Sequence, residues 1–369
     1  MSLVFRSIPD TYRYSSTARE AELLTGILGK PLSGNSEPVE AYESELARYF
    51  GAKHAVAVSS GSAAVMAGAA ALDLRPGDEV VLTPTCPLCT VYPLQSMGLV
   101  PVFADTQPTN FSIDLDDLAR VVGPKTRAII DIPMWGYPVP VKALRAAADA
   151  YGLPLLLDLA HGHGVTVDGK PLWTYGDVAT FSTHDSKILS TGEGGFVLTD
   201  RADCAERARG FTRFGNLDGV HLGINLKLSG LQAELGRHRL SMFDASLEKR
   251  LANARRVLDG IAHPVVSELS VVPGGKPNYF TLLLQLPSTE TSERFISHLA
   301  QWGIPSDIAK YGCRPLYEFP LLRSFARDCS NAKRLLGTIT TIPIHPSLSE
   351  DDLDHIVRVI NVFGTGSSR

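Results

Sequence analysis

Between Ala52 and Asp200, short apolar runs alternate with helical patterns, and few folds accommodate that alternation. The runs are Ala55-Val56-Ala57-Val58, Glu79-Val80-Val81-Leu82, Val100-Pro101-Val102-Phe103, Ala128-Ile129-Ile130-Asp131, Leu153 to Asp158, Val178-Ala179-Thr180-Phe181 and Gly195 to Thr199. Strands that are apolar almost throughout are covered on both faces, so the pattern predicts an α/β fold, with a mostly parallel central sheet flanked by helices. Ala63 to Leu72 and Val141 to Tyr151 read as two of those helices, the second stopped by Gly152. Beyond Ser229 the character changes. Leu231 to Leu258 carries apolar residues at helical spacing, Tyr279 to Leu286 reads as a strand, and Thr291 to Trp302 and Ser349 to Phe363 read as helices, the last capped by Ser349 and opened by acids. The expected organisation is a large domain over 1–240 and a smaller C-terminal α+β domain over 241–369, with roughly the first 30 residues packing on the smaller one.

A chain of 369 residues that is 44% hydrophobic supports two such cores. Its formal net charge is -4 and no stretch gathers basic residues among aromatics, which argues against nucleic acid or membrane surfaces as partners. The N-terminus lacks the basic start and apolar core of a secretion signal, and no run is long enough to span a bilayer, so the cytoplasm is the expected location. Cys86-Pro87-Leu88-Cys89 has the spacing of a redox pair or half a zinc site, but the other half is missing, and the pair is read as small buried residues.

Three segments carry chemistry. Ser59-Ser60-Gly61-Ser62-Ala63-Ala64 follows a strand and opens a helix, where backbone N–H groups and hydroxyls can hold a phosphate, although serine is also an ordinary helix cap. Asp158 ends a buried strand and begins Asp158-Leu159-Ala160-His161-Gly162-His163-Gly164, at the sheet edge where α/β proteins bind ligands. A carboxylate there can keep a pyridine nitrogen protonated, or simply cap the turn. His161 and His163 lack an obvious third metal ligand. Lys187 stands in Phe181-Ser182-Thr183-His184-Asp185-Ser186-Lys187, ahead of the cluster Gly192-Glu193-Gly194-Gly195. Partial burial beside polar groups makes such a lysine a candidate for a Schiff base.

A phosphate turn, a strand-end Asp and a lysine before glycines, in that order, are what a fold-type I pyridoxal phosphate protein presents. The chain resembles the DegT/DnrJ/EryC1/StrS aminotransferases, which act largely on keto sugars and related cyclic ketones. The likeness runs through Leu32-Ser33-Gly34, Val39 to Glu43, His54 to Ser62, Pro76 to Val80, Asp158 to Gly164, Ser182 to Gly195, Asn225 to Ala233 and Ile342 to Ser349. It implies that Lys187 holds pyridoxal 5'-phosphate as a Schiff base and Asp158 pairs with the pyridinium. Gly61, Ser62 and Ser182 then bind the phosphate, and His161 lies beside the ring. Asn225 matches an asparagine that reaches the neighbouring subunit's phosphate, so the resemblance also implies a homodimer with the active site at its interface.

The chain departs from the family at three places. Leu88 stands where an aromatic residue commonly stacks on the cofactor, leaving Tyr92 or Trp135 as substitutes. The family's Asn-x-Arg is here Asn225-Leu226-Lys227, and lysine cannot copy a bidentate arginine contact. The His-Tyr-Pro segment is replaced by Ala309-Lys310-Tyr311-Gly312-Cys313-Arg314-Pro315-Leu316-Tyr317, which points away from a standard nucleotide sugar. Lys227, Arg314 and Tyr317 are the substrate-side candidates, and the Arg314 fork suits a carboxylate or phosphate. The expected activity is amino transfer from an amino acid, glutamate or glutamine by resemblance, to a keto sugar, cyclitol ketone or related biosynthetic intermediate. Elimination, dehydration or cyclisation on the same cofactor is the enzymatic alternative, and a non-catalytic cofactor-binding regulator the other.

Overall fold

The structure, a computed structural model, describes residues 3–12, 14 and 17–364. Helices α1 (Ala18–Ile27) and α2 (Glu37–Phe50) precede β1 (His54–Val58). Then α3 (Gly61–Ala71), β2 (Glu79–Leu82), α4 (Leu88–Ser96), β3 (Val100–Phe103), α5 (Leu115–Val121), β4 (Thr126–Asp131), α6 (Val141–Tyr151) and β5 (Leu155–Asp158) alternate as the sequence pattern requires. The short strands β6 (Thr166–Val167) and β7 (Lys170–Pro171) form a hairpin before β8 (Val178–Ser182) and β9 (Gly195–Thr199).

Seven strands form one sheet in the order β1-β9-β8-β5-β4-β2-β3. The five from β8 to β3 run parallel, and β9 is antiparallel to both of its neighbours, β1 and β8. Six strands therefore point one way. β5, β8 and β9 are buried at every position, which is why each reads as an unbroken apolar run. Because β1, β5 and β8 share a direction, their carboxyl ends, and with them Gly61, Asp158 and Ser182, collect at one sheet edge.

Helices α7 (Ala202–Thr212), α8 (Gly230–Ser241) and α9 (Phe243–Gly260) follow. The helical stretch expected over Leu231 to Leu258 is thus two helices, broken at Met242. A buried ion pair joins α1 to α8: Arg239 Nε donates to Glu20 at 2.9 Å, with the guanidinium over the Tyr14 ring. The second sheet is antiparallel, β10 (Ser267–Glu268), β12 (Leu282–Gln285) and β13 (Ile339–Ile342), while β11 (Gly275–Lys276) pairs with β6. Around it lie α10 (Thr289–Gln301), α11 (Asp307–Lys310), α12 (Ser330–Gly337) and α13 (Glu350–Asn361), the last opened by a Ser349 capping box. Leu282, Leu284, Phe295, Ile342, Ile356 and Val359 share an apolar core there, and Ile8 of the N-terminal segment joins it.

Candidate active site

Ser60 caps α3: its side chain accepts from the Ala63 N–H at 3.0 Å and its carbonyl from Ala64 at 3.0 Å. The first-turn N–H groups of Gly61 and Ser62 are left at the positive end of an eleven-residue helix. Ser182, ending β8, closes the other side. A Cβ on Gly61 would lie 2.7 Å from Ser182 Cβ and 2.8 Å from its Oγ, so glycine is needed for the turn and the strand end to meet. Two N–H groups without a partner among the described residues, together with the Ser182 hydroxyl and the Ser62 hydroxyl, which donates here to the Cys89 carbonyl at 3.2 Å, are donors suited to a phosphate.

Asp158 is 4% exposed. Its Oδ2 accepts from Thr90 Oγ1 of α4 at 2.6 Å and its Oδ1 from the Ala160 N–H at 3.1 Å. Burial raises its pKa, and among the described residues no cationic side chain lies within ion-pair distance of it. A protonated ring nitrogen would meet the demand of this carboxylate for a positive partner. Lys187 lines the same cavity, of about 590 Å³, with Nζ 5.0 Å from the centroid of Phe280. Desolvation lowers its pKa, against the opposite pull of Cys89, Asp158 and Asp307. The balance increases the neutral, nucleophilic fraction of the amine.

His161 is fixed by elements far away in sequence. Its Nδ1 accepts from the Trp135 backbone N–H at 3.2 Å, which leaves the other ring nitrogen, Nε2, to carry the proton. Burial, then Lys187 and His163, holds its pKa well below the usual histidine value, so the ring stays neutral. It stacks on Phe280 with centroids 4.3 Å apart and planes 10° apart. Trp135 presents its N–H from a left-handed conformation, φ 53°, followed by Gly136 at φ 82°. Asn278 clasps this corner: Nδ2 donates to the carbonyls of His161 and His163 at 2.7 and 2.8 Å, and Oδ1 accepts from the Phe280 N–H at 2.8 Å.

Of the residues expected at the site, Gly61, Ser62, Leu88, Asp158, His161, Ser182, Lys187 and Arg314 line this cavity. Leu88 opens α4. Of its two candidate substitutes, Tyr92 lies outside the cavity lining, whereas Trp135 is part of it and meets Phe111 edge-on. Arg314 lies on the Phe319 ring at 4.1 Å. Asn225, Lys227 and Tyr317 are not lining residues. Asn225 is exposed, Lys227 Nζ sits 5.0 Å from the Phe214 centroid, and the Tyr317 ring packs edge-on against Phe103. The cysteines divide: Cys86 is buried, but Cys89 is in the first turn of α4, exposed toward the cavity, which corrects the reading of both as buried. His184 bonds locally to Ser186, 3.0 Å from Nδ1 to Oγ.

Thr90, Phe280, Asp307 and Arg250 were not expected here. Thr90 offered a weak signal, since it lies one helical step from the Cys-x-x-Cys segment. The other three come from the C-terminal part of the chain, and no local pattern marks them.

A family model described as the DegT/DnrJ/EryC1/StrS aminotransferase family matches residues 15–361. A dTDP-3-amino-3,4,6-trideoxy-alpha-D-glucose transaminase of Micromonospora megalomicea is 30% identical, over 96% of this chain and 98% of its own. A UDP-N-acetyl-3-dehydro-alpha-D-glucosamine 3-aminotransferase of Acidithiobacillus ferrooxidans is 29% identical, over 92% and 93%. The crystal structure of DesI with its TDP-sugar product superimposes with a TM-score of 0.88 at 27% identity, covering 96% of this chain and 93% of that one.

Proposed function

The chain belongs to the DegT/DnrJ/EryC1/StrS aminotransferase family, whose members depend on pyridoxal 5'-phosphate, and from this premise we propose that it moves an amino group from glutamate or glutamine to the ketone carbon of a sugar, cyclitol or related cyclic intermediate. The observation that carries the reading is the pairing, in one cavity, of a lysine whose amine is driven toward neutrality with a buried carboxylate that has, among the described residues, no cation at ion-pair distance.

Gly61, Ser62 and Ser182 would hold the cofactor's phosphate, Asp158 its ring nitrogen, and Lys187 its carbon. Bound there, the cofactor supplies an electron sink for the carbon that gains or loses a proton. Asp158 would keep that sink charged, because it is a carboxylate already fixed by Thr90 and Ala160 and a protonated ring nitrogen would give it a cationic partner. The neutral His161 ring offers a flat face and one N–H without adding positive charge. Lys187 would be free once an amino donor takes its place, and its depressed pKa suits it to take up and pass on a proton within this cavity. The apolar wall of Leu88, Met134, Phe280 and Leu316 excludes water from that step.

Asn225 is read as reaching the phosphate of a second copy. It is exposed and follows an outward-facing apolar segment with Leu217, Val220 and Leu222 at 81, 79 and 86% exposure, a surface suited to a homodimer. Residues 1–240 are read as the cofactor-binding domain and 241–369 as the smaller one, a division supported by the packing of α8 against α1 and α2.

The test is transfer itself. Glutamate or glutamine labelled at the transferred nitrogen, supplied with a panel of cyclic ketones, is expected to place the label in an amine product. Consumption of a ketone without label in the product would overturn the reading in favour of elimination or cyclisation.

A further inference from the structure

Asp307 acts on Lys187 electrostatically across the cavity that both line, but no step of the transfer is assigned to it. Three contacts hold the aspartate in place. The Asp307 N–H donates to Thr341 Oγ1 of β13 at 2.6 Å, Trp135 Nε1 donates to Asp307 Oδ2 at 3.3 Å, and the Asp307 carbonyl is 3.6 Å from Cys313 Sγ. An ionised carboxylate can accept about four hydrogen bonds. Among the described residues, the indole N–H is the only side-chain donor to this one. Lys310, the nearest basic residue on α11, is spent on Asp10 across the cavity rim. Arg250 places Nη1 on the carbonyls of Tyr279 and Phe280, and Arg314 lies against Phe319. Asp307 is thus a partly buried anion without a cation at ion-pair distance, on a wall that also presents Met134, Phe280, Leu316 and Phe319. Burial raises its pKa, as expected of such a group.

A desolvated carboxylate is stabilised most by a donor that also carries positive charge, since a low dielectric strengthens their attraction and a hydroxyl cannot neutralise the anion. We propose that Asp307, positioned by Trp135, is a receptor for a protonated amine on the acceptor, so that the preferred ketone substrate is an amine-bearing cyclic polyol. This rests on the cavity being the aminotransferase site. Asp307 opens α11 two residues before the replaced Ala309 to Tyr317 segment, so the departure from the family begins beside it. Trp135 joins the two sides, its backbone N–H on His161 and its indole N–H on Asp307.

The probes are scyllo-inosamine and scyllo-inositol, which differ by one amino group and carry no ketone. Their affinities are measured calorimetrically on protein loaded with the amine form of the cofactor, which cannot condense with a second amine. Wild type is expected to bind the amine about tenfold more tightly than the neutral polyol, the scale of one charge-assisted hydrogen bond. Asp307→Asn should bring the ratio to about threefold or less. Trp135→Phe, which removes the indole N–H and leaves the carboxylate, should lower the ratio partway, and it stands in if Asp307→Asn fails to fold. Equal affinities in wild type, no binding of either probe, or a preference that survives Asp307→Asn would each overturn the proposal. Conversion of the cofactor by glutamate or glutamine, followed by absorbance on the same wild-type preparation, keeps the two readings apart. Failure of that conversion counts against the aminotransferase reading, whereas its success with undiscriminated probes counts against Asp307 alone.

Discussion

Asn278→Ala removes the clasp that holds the His161 and Trp135 corner. Asn278 is 1% exposed, and truncation leaves three groups without their partner: the buried carbonyl of His163 and the partly buried carbonyl of His161 and N–H of Phe280. Each orphaned group costs about 1–3 kcal/mol. For three groups that is about 3–9 kcal/mol, and because the adjoining cavity can admit water to some of them the cost falls in the lower part, about 3–6 kcal/mol. With an unfolding entropy of about 2.1 cal/mol/K per residue over 369 residues, this corresponds to a fall in Tm of about 4–8 °C. Differential scanning calorimetry of the cofactor-free protein measures the structural part alone, and titration of the cofactor afterwards should show weakened binding, because His161 has lost the fixed carbonyl behind its ring. A fall in Tm below about 1 °C would refute the claim that this amide organises the corner.

Gly61→Ala should press the new methyl group into Ser182, at 2.7 Å from its Cβ, costing about 1–3 kcal/mol of stability. Cofactor affinity, titrated by absorbance, should fall with it, and unchanged affinity would argue against the phosphate lying at that turn. Asp131 ends β4 fully buried, accepting from Ser112 Oγ at 3.0 Å and the Ile113 N–H at 3.3 Å, and burial raises its pKa to about 7. The folded state therefore binds its proton more tightly than the unfolded chain does. The stability this contributes is fully present below about pH 4 and is lost as pH rises through about 7. Across that window wild type should lose about 1.4 kcal/mol per pH unit relative to Asp131→Asn. Paired denaturation curves at several pH values check this, and parallel pH dependence of the two proteins would contradict it.

The half of the site built from strand ends was legible in the sequence. Ser60 to Ser62, Asp158 and Ser182 each stand where an apolar run stops, and a parallel sheet must bring such stops to one edge. Lys187 was marked by its polar setting before glycines. The remainder was hidden because distant elements supply it. Phe280 and Asn278 fall in or beside the run read as a strand over Tyr279 to Leu286, but β12 begins only at Leu282. Tyr279 is left-handed, φ 50°, and the next two residues serve the cavity instead of pairing. β13 gives little strand signal because Ile339-Thr340-Thr341-Ile342 is half threonine, although all four residues are buried. Its Thr341 then holds Asp307, a contact no spacing announces. The placement of Lys227 and Tyr317 away from the cavity has the same origin: segments read as lining candidates fold against Phe214 and Phe103, whose positions depend on tertiary packing.

The central claim, that Lys187 is the attachment point, is tested most directly by trapping the bond. The holoenzyme is treated with borohydride, which reduces an imine between lysine and cofactor to a stable secondary amine, and the digested protein is examined by mass spectrometry. The peptide containing Lys187 is expected to carry the added cofactor mass, and Lys187→Ala is expected to carry none. Cofactor mass on a different lysine of the wild type, or no labelled peptide from a protein that binds pyridoxal 5'-phosphate, would contradict it.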